Sequence, residues 1–375
     1  MTALLLFLPT LYKMPQTLFL LAVPAILFRR REWELKGADG SLRNFMILLL
    51  LALFSTLNNI VGIGKASGFS DAIPFTLLHI LTFFIALNLE EEDLETLLLL
   101  IAIEAAIVIL QFTLGMNTFF RGHPDYKKFD NITYIYFIRP MGLSSSSSTV
   151  AFKLLCGIAF ITLKGFKGNK HILFFVLMLI ALMVNFNRTS IVAVGAMLGL
   201  KFLISNKKPL VVASKLLSIL LLAILAWKMG LGEIVFDQFS RGMGALDLSY
   251  RDVLWGQSFR YIVDNPFTGN SSYKYLTPLY AYNASMEHVH NSFIEMLATH
   301  GVPIFLLYIP LIVLNIKKTN ALALLPFLLL SLYQYGIFWG ISFTDIVFFW
   351  ILMFSNRIKD TDAHIIHSRQ LSAGV

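Results

Sequence analysis

The stretch TLLLLIAIEAAIVILQFTLG, residues 96–115, decides the class of fold. It holds a single ionisable side chain, Glu104, in twenty positions. As a helix it would rise about 30 Å, the thickness of a bilayer's hydrocarbon core. Working outward, the pattern recurs. Of 375 residues, 57% are hydrophobic, and the mean hydropathy is +0.72. The chain therefore reads as an all-α polytopic membrane protein. Spans are expected at 4–28, 44–64, 72–88, 96–115, 149–163, 171–186, 190–204, 210–229, 302–316, 321–338 and 341–355, which makes eleven. Lys13, Met14 and Pro15 interrupt the first, so it is either one kinked span or a short hairpin, and the hairpin would make twelve.

Charge sets the expected orientation. The net charge is +8, but the basic residues flank the apolar runs, as topology signals do, and give no reason to invoke nucleic acid. The loops RRREWELKGADGSLR (29–43), KGFKGNK (164–170), KFLISNKK (201–208) and NIKK (315–318) fall on one side if the spans alternate, together with the tail 356–375. That side is expected to be cytoplasmic. LEEEDLE (89–95) falls there too, without topological weight. The chain is expected to form one integral membrane domain over 1–375, with outward segments at 116–148 and 230–301. Loops this long are uncommon unless they do something. No cleavable signal peptide is evident. The single cysteine, Cys156, excludes an internal disulfide.

The outward segments hold the candidate chemistry. In HVHNSFIEMLATHG (288–301), Ser292 and Glu295 have the spacing of a capping box, so a helix is expected from about Phe293. Gly301 should end it, and Pro303 suits the first turn of the next span. His290 then precedes a helix N-terminus, where a histidine is biased toward its neutral, proton-accepting form. A cap or a packing role would explain His290 equally well. For His288 and His300, packing is the preferred reading.

In SYRDVLWGQSFRYIVDNPFTGN (249–270), the first part reads as an amphipathic helix ended by Asn265-Pro266. Arg251, Trp255 and Phe259 share a face, and Arg260 points to the opposite side. The alternative is an interfacial helix with arginine anchors. In NFNRTSIVAVG (185–195), Arg188 falls in a short outer turn, with Thr189 or Ser190 as N-cap of the next helix. In IRPMGLSSSSST (138–149), Arg139 sits at the mouth of the fifth span, and the serines are its entry. Glu104 is either functional or bonded to a neighbouring helix. No P-loop, GxGxxG or HExxH motif is present, and no cofactor or metal is implied.

Taken in chain order, NRTS at a span boundary, R-x3-W with a following NPFTG, and HxHN-x9-G before a span resemble the O-antigen polymerase and ligase superfamily of bacterial inner-membrane glycosyltransferases. The resemblance covers about residues 135–355 and is clearest from 180 to 305; GISFTD (340–345) resembles the family's late hairpin. It implies a C-type glycosyltransferase fold and an undecaprenyl-diphosphate-linked oligosaccharide as donor at the periplasmic face, with neither nucleotide nor metal. It implies that Arg188 and Arg251 bind diphosphate and that His290 is catalytic. Arg139, Asn291 and Trp255 join them as candidate substrate contacts.

The expected partners are therefore the lipid-linked oligosaccharide, the bilayer and a chain-length regulator. Three activities are to be weighed: polymerisation of repeat units, ligation of finished glycan to the lipid A core, and transport of the lipid-linked sugar. Only Lys13, Glu104 and Lys153 lie clearly within spans, while arginines and histidines gather outside, which favours an enzyme.

Overall fold

The computed structural model describes residues 1–29, 38–63, 75–128, 139–205, 251–273, 275–279, 284–286, 288–334, 336–338 and 342–353, with isolated residues between 211 and 228. Most of the span expected at 210–229, together with Arg241, Asp247, Lys274, residues 340–341 of GISFTD and the tail 356–375, lies outside the described residues.

The described chain is helical. Its helices are α1 (Thr2–Phe7), α2 (Ala22–Arg29), α3 (Ala38–Val61), α4 (Phe75–Asn88), α5 (Glu91–Thr113), α6 (Ser147–Lys164), α7 (Asn169–Asn185), α8 (Arg188–Ile204), α9 (Arg251–Asp264), α10 (Ser292–His300), α11 (Val302–Val313) and α12 (Ala321–Tyr333). A further apolar helix, α13, follows at Phe343–Met353. The all-α expectation needs one correction. A short antiparallel hairpin pairs β1 (Thr277–Leu279) with β2 (Ala284–Met286).

Among the described residues, three helices are long and apolar enough to cross a membrane: Leu42–Val61 within α3, α5 and α6; six more apolar helices are 10–17 residues long. On α3, Leu49, Leu50, Leu53, Phe54, Leu57 and Ile60 are exposed. So much outward apolar surface on one helix marks a face turned to lipid. Inward, α5 and α6 pack on α7, α8 on α12, and α3 on α4 and α11. The shared core runs from Leu6 of α1 through Phe83, Ile101, Leu155 and Met178 to Phe348 of α13.

The first expected span is broken rather than continuous. Between α1 and α2 the chain makes two 3-10 turns, Leu8–Thr10 and Gln16–Leu21, and Lys13 takes a left-handed φ of 63°. The Tyr12 N–H donates to the Leu143 carbonyl at 2.9 Å, and α1 packs back on α2. The run is interrupted where the sequence places Lys13, Met14 and Pro15, and α1 and α2, six and eight residues long, contact each other across the break.

Opposite charges meet where α5 begins. Glu90 caps the helix, and Asp93 accepts from the Glu90 N–H at 3.1 Å. Arg29 reaches both Asp93 oxygens, at 3.1 and 2.9 Å. Lys164 pairs with Glu91 at 2.9 Å, Lys167 also pairs with Glu91, and His171 meets Glu95 at 2.9 Å. The acidic run LEEEDLE is thus matched by the basic loop after α6 and by Arg29. Its carboxylates also suit a helix N-terminus. We call this the acidic end of the bundle.

Glu104 is structural. Within the bundle it pairs with Lys153 of α6 and accepts from the Ser144 hydroxyl at 2.8 Å and the Leu143 N–H at 3.2 Å. Lys153 also donates to Thr10 at 3.0 Å. The group fastens α1 and the segment before α6 to α5. The serine run does open α6: the Ser146 hydroxyl accepts from the Thr149 N–H at 3.1 Å.

Candidate functional site

The far end of the bundle, opposite the acidic end, carries the candidate residues. Here α5 and α7 finish and α6 and α8 begin.

A small second core lies at this end. Ile262 of α9, Tyr275 before the hairpin, Val289, and Ile294 and Ala298 of α10 pack together. The NPFTG turn after α9 docks on the last turn of α10. The Asn270 and Ser272 N–H groups donate to the Ala298 and Thr299 carbonyls at 2.8 and 2.9 Å, and the Val302 N–H donates to the Pro266 carbonyl at 2.7 Å. Helix-terminal carbonyls are satisfied this way. Gly301 ends α10 at φ 78°, as expected, and Pro303 opens α11. A side chain at Gly301 would run into the Phe267 carbonyl, so the turn and the helix end fit only with glycine there.

The start of α10 differs from the capping-box expectation. Asn291 is the N-cap, and its Oδ1 accepts from the Phe293 and Ile294 N–H groups at 2.9 and 3.0 Å. Ser292 lies one residue inside the helix, and its hydroxyl accepts from the Gly336 N–H at 3.1 Å. Glu295 is buried and accepts from the Val289 N–H at 2.8 Å. It therefore fixes the backbone just before His290. The Asn291 amide donates to the Leu332 carbonyl at 2.8 Å. The expected substrate contact thus has both ends of its amide engaged in holding the fold.

His290 itself takes φ 57°. A left-handed non-glycine residue costs about 1–3 kcal/mol, and here the cap at Asn291 and the anchor at Val289 hold it in place. Its Nδ1 meets Gln334 Oε1 at 3.3 Å. With Gln334 Oε1 as the acceptor of this bond, Nδ1 is its donor and Nε2 is left as the basic nitrogen. The His288 ring stands edge-on at 4.3 Å between centroids. Partial burial holds the His290 pKa below its ordinary 6.5, and the positive charge of Arg251 lowers it further. The structure therefore places Arg251 within electrostatic reach of His290, from motifs about forty residues apart in the chain.

Helix α9 turns Leu254, Ser258 and Ile262 inward, with Arg251 and Trp255 half-buried beside them. Arg260 is exposed, as expected, but Phe259 is 50% exposed and leaves the face assigned to it. The inward stripe follows the three- and four-residue helical spacing from Arg251 through Leu254 and Trp255, not four-residue steps alone. Trp255 donates from Nε1 to the Val289 carbonyl at 3.2 Å. It braces the segment that carries His290.

Arg139 and Arg188 lie on two segments that are bonded to each other at the same end of the bundle. Arg188 is the first residue of α8, and Asn187, not Thr189 or Ser190, is its N-cap, accepting from the Ser190 N–H at 3.0 Å. Ser190 is buried in the first turn, too far into the helix to cap it. Arg139 takes φ 37°. The Asn187 amide reaches the Ser148 hydroxyl at 3.4 Å, tying the turn that bears Arg188 to the start of α6. Both segments share that end with His290. His290 is bonded to the end of α12, Arg188 opens α8, and those helices pack together. Gln334 was missed in the sequence. Its only local signal is a polar residue closing the apolar run SLYQYG.

Residues 173–309 match a protein-family model described as O-antigen ligase. The matched region contains Arg188, Arg251 and His290 but not Arg139. No curated protein matches the chain. The match bears out the resemblance to the O-antigen polymerase and ligase superfamily.

Proposed function

We propose that this membrane protein is a glycosyltransferase that polymerises undecaprenyl-diphosphate-linked oligosaccharide repeat units at the periplasmic face of the bacterial inner membrane. The observation that carries this reading is the placement of Arg251 within electrostatic reach of a strained, largely neutral His290. His290 Nε2 takes the proton of the acceptor hydroxyl. The acceptor oxygen attacks the anomeric carbon, and the bond from that carbon to the diphosphate oxygen breaks. The electron pair leaves with the lipid diphosphate, and the anomeric configuration inverts.

Arg251 and Arg188, joined by Arg139, receive the growing negative charge through charge-assisted hydrogen bonds. A preorganised donor at developing charge is worth roughly 3–4 kcal/mol, and a positioned base roughly 10²–10⁴-fold. In this mechanism guanidinium groups carry the electrostatic work, with neither metal nor cofactor.

The fold is read as C-type with eleven or twelve spans. Residues 116–148 and 230–301 face the periplasm, 356–375 face the cytoplasm, and a separate protein regulates chain length. The basic loops support this orientation.

Ligation of finished glycan to the lipid A core is the second reading, favoured by the description of the matching family. Cells lacking the gene separate the two. Loss of a polymerase leaves single repeats on the core. Loss of a ligase leaves bare core and accumulating lipid-linked polymer. The first test is His290→Ala in such a strain, with the surface-glycan ladder read on a gel. We expect the ladder to be lost at normal protein level; an intact ladder overturns the proposal.

A further inference from the structure

Asn185 closes α7 and is fully buried. Its amide donates to the Pro140 carbonyl at 2.6 Å and to the Ser147 carbonyl at 3.1 Å. Its Oδ1 is buried without a hydrogen-bond partner among the described residues. A buried acceptor left idle is unfavourable, so the two N–H donors are what this side chain supplies. Both donors grip the segment that runs from Arg139 into α6.

The geometry on either side makes that grip consequential. Pro140 follows Arg139 directly, and Arg188 begins α8 three residues after Asn185. Between them Phe186 takes φ 56° and turns the chain sharply. The rest of the Arg139 segment is fixed from other elements. Gln111 of α5 bonds both main-chain groups of Gly142 at 2.8 Å, and the Met141 N–H donates to the Asn117 carbonyl at 2.7 Å. The segment can therefore move relative to α8 only if the two Asn185 contacts yield, together with the longer contact of Asn187 with Ser148 at 3.4 Å.

We propose that Asn185 is a positioning residue. By tying the Arg139 segment to the Arg188 turn, it sets the separation at which the two guanidiniums receive one diphosphate. This rests on the reading of those arginines as diphosphate ligands. A fixed spacing matters because the diphosphate is already anionic when it binds, and two planar guanidiniums can both engage it only from matched positions.

The test uses the purified full chain with lipid-linked repeat units as substrate. Asn185→Leu keeps much of the volume and removes both donors. Asn185→Asp keeps the shape and also removes them, and serves if the first variant does not fold. We expect KM for the lipid-linked donor to rise about tenfold, the scale of one lost hydrogen bond. A fall in kcat alone at unchanged KM is what a smaller folded fraction gives, and it overturns the proposal.

A second readout is independent of turnover. With Cys156→Ser, spin labels at Ser145 and Val192, both exposed, report the separation of the two segments. The distance distribution should be narrow in the parent and broad in Asn185→Leu; an unchanged distribution overturns the proposal. If Arg139→Ala and Arg188→Ala both retain full activity, the diphosphate reading falls and this role of Asn185 falls with it. If those variants are inactive while the Asn185 variants keep the parent's KM and distances, the role of Asn185 falls alone.

Discussion

The two ends of the bundle use polar side chains in opposite ways. At the acidic end, Glu90, Glu91 and Asp93 meet Arg29, Lys164 and Lys167, and charge cancels charge, while Glu95 bonds His171. At the other end, among the described residues, most of the side chains that fix the candidate segments are amides, with the buried Glu295 carboxylate on the Val289 N–H as the exception. Asn185 and Asn187 hold the segments bearing Arg139 and Arg188, while Asn291 and Gln334 hold His290. An amide orients its neighbour without adding a countercharge. A site that must receive an anion is better built from amides than from carboxylates.

The sharpest way to break this comparison is at Arg251. Arg251→Ala should lower kcat/KM by about 10²-fold or more, as loss of a preorganised donor does, whereas Arg260→Ala, on the exposed side of α9, should stay near the parent. Equal losses at normal protein level would remove the distinction between the two faces. Arg188→Lys and Arg251→Lys should also fail, because an ammonium lacks the planar fork.

Next in size is Glu104. Its removal leaves Lys153 buried beside Thr10, and breaking such a pair costs about 3–5 kcal/mol. A large drop in melting temperature is expected for Glu104→Ala, and a smaller one when Lys153→Met accompanies it. A third expectation concerns pH. The proton-accepting form of His290 predominates at neutral pH and is lost as pH falls through a value below 6.5. Gln334→Glu places a carboxylate beside the ring and favours the protonated form. The acid limb of the kcat/KM profile should move up by about one unit or more. An unmoved limb would separate His290 from the rate.

The smallest effect belongs to the acidic end. Glu91 is 44% exposed, and its partners Lys164 and Lys167 are 16% and 55% exposed. Glu91→Gln should shift stability by about 0.5 kcal/mol or less and leave turnover unchanged.

Local features of the sequence carried further than long-range ones. The entry to α6, the end of α10 at Gly301 and the exposure of Arg260 each depend on residues within a few positions, and each was legible. The helix start at Asn291 was not, because Ser292 and Glu295 have capping spacing yet are drawn to Gly336 and Val289. Glu104 could be flagged but not interpreted, since its partner lies on another helix. Gln334 carried no flag at all, since its partner His290 lies 44 residues away, and the break in the first span could be flagged at Lys13–Pro15 but depends on Leu143 far along the chain. The hairpin is built from two three-residue strands, too short to show an alternating pattern.

The bond from Gln334 to His290 also sets a schedule. Gln334 follows His290 by 44 residues in the chain, and Asn291 relies on Leu332 of the same helix end. Chains emerge from the ribosome N-terminus first. A nascent chain that has already delivered Arg139, Arg188, Arg251 and His290 still lacks the brace that holds the imidazole. On the proposed reading the site is complete only once Gln334 has been made, so a chain stalled or cut before that point should carry every charged candidate residue and show no transfer.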